Sequence, residues 1–182
     1  MSECIALLRG INVGKAKRIA MADLRRLLED LGHTNVRTLL NSGNAVFRTG
    51  DAAAGRLAHT IEQAIVGRFG IEVPVVVVPA KELATIVAGN PLPQANVEPS
   101  RFLVAFVQEP QSLAAAKTLT SQPWAPEAFA LGRRAAYLWC ANGIIDSRLA
   151  PAFARATRNA ATARNWATVL KLHAMVAAGR TA

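Results

Sequence analysis

The chain has 182 residues, of which 52% are hydrophobic, 18% are charged and 5% are aromatic, and its formal net charge at pH 7 is +9. This composition excludes a disordered or collagen-like chain and supplies enough apolar material for a core without disulfides or structural metals. The apolar runs are far shorter than the about 20 residues that span a membrane, and the start lacks the basic region of a signal peptide. We therefore expect a cytoplasmic protein with no membrane partner, in which Cys4 and Cys140 are reduced thiols.

Six segments of the first half predict the order β-α-β-β-α-β. Strands are predicted at residues 3–9, 36–40, 45–49 and 73–78, and helices at residues 21–31 and from Asp51, as the capping residue, to Phe69. The sequence Asn41-Ser42-Gly43-Asn44 favours a tight hairpin turn, because Gly and Asn tolerate positive φ. Prolines near both ends of residues 73–78 favour an edge strand or a strand terminus. This order is typical of a ferredoxin-like unit.

The second half predicts a related order, β-α-β-β-α-α. After a short helix at residues 80–88 and a linker at 90–100, strands are predicted at 101–107, 128–131 and 136–140, and helices at 111–119, 147–156 and 166–178. We therefore predict an α+β chain of two ferredoxin-like β-α-β-β-α units, with mostly antiparallel sheets and helices packed on one face. The predicted domains are residues 1–79 and 101–182, joined by the short helix and linker at 80–100.

The basic excess lies in the second half of the chain. Residues 1–100 hold 11 Lys and Arg against 9 Asp and Glu, whereas residues 101–182 hold 10 against 3. From Arg148 onward every charged side chain is basic. Such a field concentrates phosphates, carboxylates or nucleic acid. The competing interpretation is that these arginines form the solvated faces of helices.

The loop after the first strand contains Gly10, Gly14 and Lys15 at a spacing close to that of a P-loop. A Walker A motif needs four residues between the glycines and a Ser or Thr after the lysine, and here the spacer is three and Ala16 follows. Two interpretations stay open: a loop that offers N–H groups and positive charge to an anion near the next helix, or a tight turn with solvated lysines.

No catalytic pattern stands out. The histidines lie in no Ser/His/Asp or Cys/His signature, and Ser42 lacks the preceding glycine of a nucleophile elbow. Metal-binding signatures are missing, so we expect neither a metal nor a cofactor and name no catalytic residue. Phe102 and Phe106 share one strand face, as do the base-stacking aromatics of an RNA-recognition motif, but Val104 on the same face favours a core role.

Residues 162–172 are the most unusual stretch. With Thr162 as an N-cap, helical spacing places Arg164, Thr168 and Lys171 on one polar stripe and Trp166 on the buried side. A polar stripe near a helix N-terminus suits an anion. The alternative is a capped amphipathic helix that is anchored by Trp166.

Four segments carry a resemblance to a known family. They are Arg9-Gly-Ile-Asn12-Val-Gly14, Met21-x-x-Leu24-x-x-Leu27, Thr38-Leu-Leu-Asn-Ser42-Gly43-Asn44-Ala-Val-Phe47 and Arg164-Asn165-Trp166-x-Thr168-Val-x-Lys171-Leu. Together they resemble the signature segments of the bacterial family called domain of unknown function 1697. The resemblance implies an α+β protein built from ferredoxin-like units and implies no reaction. The chain departs from the family at Gly14-Lys15, where paired glycines are common, and at Thr162-Ala163, where Thr-Thr is common.

These observations lead to one hypothesis and two alternatives. The hypothesis is that the first loop, the Ser-Gly-Asn turn and the last helix converge on a site for a small anionic or phosphorylated ligand, with any turnover left open. The alternatives are a nucleic-acid-binding module that uses the basic second half, and a structural or protein-interaction role; the oligomeric state is open. The candidate ligand-binding residues are Arg9, Gly10, Asn12, Gly14, Ser42, Gly43, Asn44, Thr162, Arg164, Asn165, Trp166, Thr168 and Lys171.

Overall fold

The computed structural model describes residues 1–50 and 53–178. Its helices and strands are, in chain order, β1 (Ser2–Leu8), α1 (Met21–Asp30), β2 (Thr34–Leu39), β3 (Asn44–Thr49), α2 (Ala54–Phe69), β4 (Val75–Pro79), α3 (Ala80–Ala88), β5 (Phe102–Val107), β6 (Ala128–Leu131), β7 (Ala135–Trp139), α4 (Leu149–Ala156), β8 (Ala161–Asn165) and α5 (Trp166–Ala178). Two 3₁₀ helices, Pro93–Asn96 and Pro110–Ser121, precede and follow β5. The predicted helix cap Asp51 lies outside the described residues.

The eight strands form two four-stranded antiparallel sheets of the same topology. Their orders are β2-β3-β1-β4 and β6-β7-β5-β8, and all six strand pairs are antiparallel. Each sheet places the first and third strands of its half in the centre and the second and fourth at the edges, as in a ferredoxin-like unit. The predicted α+β class is confirmed, and the proline-flanked strand β4 is an edge strand.

The chain divides into two compact units. Unit 1 comprises Met1–Leu83 and the described residues from Leu172 onward, and unit 2 comprises Ala84–Lys171. The core of unit 1 lies between one sheet face and helices α1 and α2, where Leu24, Phe47 and Ile61 are fully buried. Burying a side chain of this size contributes about 1.5–3 kcal/mol, so this core fixes the sheet and the loops that leave it.

The core of unit 2 has the same arrangement. One face of its sheet packs against the 3₁₀ helix Pro110–Ser121 and α4 through residues that include Leu113, Leu138 and Phe153. On the opposite face Phe102 and Phe106 are also buried. The core interpretation of the two phenylalanines is confirmed, since neither ring is exposed for stacking on a base.

Two segments of unit 2 add detail to the prediction or depart from it. Residues 111–119, predicted as a helix, lie in a 3₁₀ helix, and its buried side chains Leu113, Ala116 and Leu119 recur at every third residue. That spacing matches three residues per turn. Residues 161–165 contain the predicted helix cap, Thr162, and the first residue of the predicted helical stripe, Arg164, but they form strand β8, because they pair with β5 from Leu103↔Asn165 to Val107↔Ala161.

Candidate functional site

Residues 9–20 join β1 to α1 and are here called the basic loop. Two apolar side chains, Ile11 and Ile19, anchor it in the core of unit 1, where each is 2% exposed. At its start the N–H of Arg9 donates to the carbonyl of Pro74 at 3.0 Å. Residues 13–18, between the two anchors, are exposed. The loop therefore has a fixed base and an exposed tip.

The side chain of Asn12 holds the base of the basic loop together. Its Nδ2 donates to the carbonyls of Ile19, at 2.8 Å, and Asn41, at 2.7 Å, and its Oδ1 accepts from the Ile19 N–H at 3.0 Å. Its backbone adopts a φ of 56°, which Asn tolerates better than most residues. Both amide hydrogens are thus used within the fold, so Asn12 positions the loop instead of contacting a ligand.

The turn between β2 and β3 lies against the same loop. The positive φ expected of its glycine occurs at Gly43, with φ 82°, and a second positive φ, of 58°, falls on Leu40, which the sequence places in the preceding strand. The carbonyl of Gly43 accepts from the Leu8 N–H at 2.8 Å, and a Cβ on Gly43 would lie 2.7 Å from the Leu8 Cβ and 2.8 Å from the Ile11 Cδ1. Only glycine therefore fits at position 43.

Asn44 and Ser42 stabilise this turn. The Asn44 side chain is fully buried, and its Nδ2 donates to the Leu39 carbonyl at 2.8 Å and to the Ser42 Oγ at 3.0 Å. These bonds stabilise the folded state because the amide is buried, and a buried amide without a hydrogen-bond partner lowers the free energy of unfolding by about 1–3 kcal/mol. The structure thus brings the unit 1 candidates together, with Asn12 and Gly43 linking loop and turn.

The exposed tip of the basic loop carries only positive charge. Lys15, Lys17 and Arg18 are exposed, and the sequence contains no Asp or Glu between Glu3 and Asp23. Lys17 Nζ donates to the Glu72 carbonyl at 2.8 Å, and an ammonium has two further hydrogens to donate. Gly10 and Gly14 adopt positive φ with open space around them, which shapes the loop without crowding the tip.

The unit 2 candidates lie at the junction of β8 and α5. Asn165, not the predicted Thr162, caps the helix, because its Oδ1 accepts from the Thr168 N–H at 2.9 Å. Thr162 lies in β8 opposite Phe106 and is 1% exposed. The prediction of Thr162 as the cap is wrong because β8 extends to residue 165, so the helix starts three residues later than a cap at Thr162 requires.

The rest of the junction is mostly buried. Trp166 and Thr168 are buried, and the Trp166 ring packs edge-on against Phe102 with centroids 5.6 Å apart. The predicted helical stripe of Arg164, Thr168 and Lys171 is therefore wrong, because Arg164 lies in β8 and Thr168 is buried. Lys171 is exposed and Arg164 is half-buried. Burial lowers the pKa of Arg164 to about 10, so its guanidinium stays charged at neutral pH. The convergence of this junction with the basic loop stays a prediction.

A second polar cluster in unit 2 has a structural role. Glu127 Oε1 accepts from Ser147 Oγ at 2.5 Å, and its Oε2 accepts from the N–H groups of Arg148 and Leu149 at 3.1 Å each. These bonds satisfy the N-terminus of α4. Burial, opposed by a hydrogen bond from Ser147 and assisted by the charge of Glu127, raises the pKa of Cys140, so this free thiol is protonated and unreactive at neutral pH.

Sequence reasoning missed a charged group at the start of β1. Glu3 forms an ion pair with Arg37 at 2.5 Å, although its side chain is only 7% exposed. The sequence offers one signal for this ion pair, an acidic residue at position 3 in an otherwise apolar strand, but an acidic residue at that position is equally typical of the end of a strand.

Among the described residues no three His, Cys, Asp or Glu side chains cluster to hold a metal. Within the same residues no helix has the length and apolarity needed to cross a bilayer.

Comparisons with known proteins agree with this fold. The chain is similar to the conserved bacterial protein SP0830 from Streptococcus pneumoniae, a solved structure, at 21% sequence identity and a TM-score of 0.76, covering 96% of this chain and 98% of that chain. No curated protein matches the chain. The family model described as "Protein of unknown function (DUF1697)" matches residues 1–137. Since this match covers most of the chain, the protein belongs to the DUF1697 family.

Proposed function

We propose that the chain binds a small anionic, phosphorylated ligand and that the tip of the basic loop contacts it first. The observation that carries this proposal is the arrangement around Asn12, whose three side-chain hydrogen bonds fix the base of a loop with an entirely cationic tip. Lys15, Lys17 and Arg18 are exposed there. Their summed field attracts anions and raises the local anion concentration.

The fixed base supports binding as well as attraction. A loop that is already held in one conformation loses little entropy when a ligand docks, so more of the interaction energy appears as affinity. A phosphate group suits the tip better than a single carboxylate does, because it carries up to two charges and three acceptor oxygens. The tip supplies two ammonium groups and one guanidinium as donors.

A binding experiment with a matched control tests this proposal. The full chain is titrated with inorganic phosphate, sugar phosphates, nucleotides and carboxylates, and binding is followed by thermal shift and calorimetry. A ligand at about 100 times its Kd stabilises the folded state by about 2.7 kcal/mol. The test variant is Lys15→Ala/Arg18→Ala, and the control is Arg25→Ala/Arg56→Ala, which removes the same charge from exposed positions on α1 and α2. We expect binding to be lost in the first variant only; equal loss in both contradicts the role of the loop.

One observation favours nucleic-acid binding as a second candidate. Arg148, Arg155 and Arg158 are exposed at and beside α4 in unit 2, and helical spacing places Arg148 and Arg155 on one face. This candidate predicts oligonucleotide binding that weakens steeply with salt, because phosphate contacts release counterions. Arg155→Ala/Arg158→Ala would then reduce oligonucleotide binding and leave phosphate binding unchanged. No response to any anion or oligonucleotide would favour the structural or protein-interaction role.

A further inference from the structure

Two apolar side chains beside the cationic tip of the basic loop are exposed. Val13 is 74% exposed and Leu40 is 52% exposed. The Asn12 N–H donates to the Lys17 carbonyl at 3.0 Å and closes the tip around residues 13–16. Val13 therefore belongs to the tip, and Leu40 belongs to the turn between β2 and β3. The fold leaves both side chains uncovered, although burial of such side chains is normally favourable.

A hydrogen bond between the loop and the turn holds these two residues near each other. The Asn12 Nδ2 donates to the Asn41 carbonyl at 2.7 Å. Val13 and Leu40 are the chain neighbours of these two residues, each one Cα step, about 3.8 Å, away. All four residues belong to unit 1. We call Val13 and Leu40 the apolar rim of the basic loop.

The backbone conformation of Leu40 makes its exposure costly to the fold. Its φ of 58° lies in the left-handed region, which Gly and Asn adopt more readily than leucine, because the leucine Cβ approaches the following carbonyl oxygen. An exposed leucine in this conformation stabilises the fold through neither its backbone nor its side chain. Residues held in sparsely populated conformations cluster at active sites and ligand clamps. Contacts among the described residues thus give no structural reason for a leucine here, whereas a contact with a ligand gives one.

The cations next to the apolar rim are available to a ligand. Lys15 and Arg18 form no ion pair with a described residue, and Lys17 uses one ammonium hydrogen on the Glu72 carbonyl at 2.8 Å. Three positive charges beside two exposed apolar side chains match a ligand that has both an anionic part and an apolar part. A sugar phosphate presents hydroxyls to the apolar rim, whereas a phosphate ester of a ring or a hydrocarbon chain presents apolar surface that leaves water on binding.

We propose that the phosphorylated ligand of the basic loop is an ester whose organic part is apolar, an aromatic ring or a hydrocarbon chain. The phosphate contacts the cations of the tip, and the organic part covers Val13 and Leu40. This inference rests on the proposed function, since it names the ligand class of the same loop. Covering about 55 Å² of apolar surface tightens binding about tenfold, so the apolar rim selects among phosphate esters of equal charge.

Four phosphates test the apolar requirement by calorimetry on the full chain at constant ionic strength. Phenyl phosphate and hexyl phosphate distinguish a ring from a chain of the same carbon number, glycerol phosphate carries hydroxyls at the same charge, and inorganic phosphate has no organic part. We expect phenyl or hexyl phosphate to bind about tenfold more tightly than glycerol phosphate. Equal affinity of the three esters, with saturable binding, overturns this inference and leaves the proposed function standing. Binding of none of the four phosphates overturns both.

Variants locate the preference at the apolar rim. Val13→Ser and Leu40→Asn keep every charge, so each should bring the affinity for phenyl and hexyl phosphate close to that for glycerol phosphate and leave glycerol phosphate binding unchanged. Leu40→Asn should also raise the melting temperature, because Asn tolerates the left-handed φ, so loss of the preference in this variant does not come from unfolding. The matched control is Val97→Ser in unit 2, where the valine is 76% exposed, and it should preserve the preference. An unchanged preference in folded Val13→Ser and Leu40→Asn, or an equal loss in Val97→Ser, overturns the inference.

Discussion

Substituting alanine for Gly43 tests whether the loop and the turn are packed as tightly as the structure indicates. The added Cβ meets the Leu8 Cβ at 2.7 Å and the Ile11 Cδ1 at 2.8 Å, and the backbone has a φ of 82°. The left-handed conformation costs an alanine about 1 kcal/mol, and forcing an extra methyl into a packed site costs about 1–3 kcal/mol more. We expect Gly43→Ala to lower the free energy of unfolding by about 2–4 kcal/mol.

Gly14→Ala is the matched control for this prediction. Gly14 has a φ of 64° but no atom within 4 Å of the position of an added Cβ, so this substitution carries the conformational cost alone, about 1 kcal/mol. Urea unfolding followed by circular dichroism measures both variants. The difference between them reports the close approach of Gly43 to Leu8 and Ile11. Equal destabilisation of the two variants, within about 0.5 kcal/mol, would refute the packing argument.

Three further predictions follow from named contacts. Asn12→Ala should destabilise the chain by about 3 kcal/mol in urea unfolding, because it removes three hydrogen bonds, and should weaken phosphate binding; unchanged phosphate affinity would contradict its positioning role. Asn165→Ala should cost about 1 kcal/mol in the same assay through loss of the α5 cap, and a neutral effect would show that the cap is dispensable. Burial lowers the pKa of His33 from its usual 6.5, so the unfolded chain binds more protons, and stability should be full above about pH 6.5 and fall below it. His33→Gln should flatten this fall between pH 7 and pH 5, and an equally steep fall in this variant would contradict the assignment to His33.

Local periodicity predicts the fold because each half alternates short apolar strands with amphipathic helices. Local periodicity fails to predict the secondary structure of segments whose conformation depends on pairing with a distant part of the chain. Residues 161–165 are a short Ala- and Thr-containing segment without clear alternation, and they form β8 because β5 offers an unpaired edge. Strand formation of this kind depends on tertiary context more than on intrinsic preference. The sequence predicts a helix at residues 111–119 but not its type, because an apolar stripe at every third residue fits a 3₁₀ helix and, over short lengths, also one side of an α-helix.

The candidate residues were found from the sequence, but their roles depend on distant contacts. Asn12 reaches the carbonyl of Asn41, 29 positions away, and Gly43 packs on Leu8 and Ile11 from the preceding strand and loop. Motif spacing identifies such residues without showing whether they face a ligand or the fold. The pairing of Glu3 with Arg37 spans 34 positions, and no local pattern predicts it.

Phosphate titration by nuclear magnetic resonance tests the central claim most directly. Inorganic phosphate is added to the isotope-labelled full chain at constant ionic strength, with chloride as the matched control, and backbone amide shifts are followed. The account predicts saturable shifts at residues 13–18 that share one Kd and disappear in Lys15→Ala/Arg18→Ala but persist in Arg25→Ala/Arg56→Ala. Shifts that fail to saturate, or that centre on other residues, would contradict the assignment of anion binding to the basic loop.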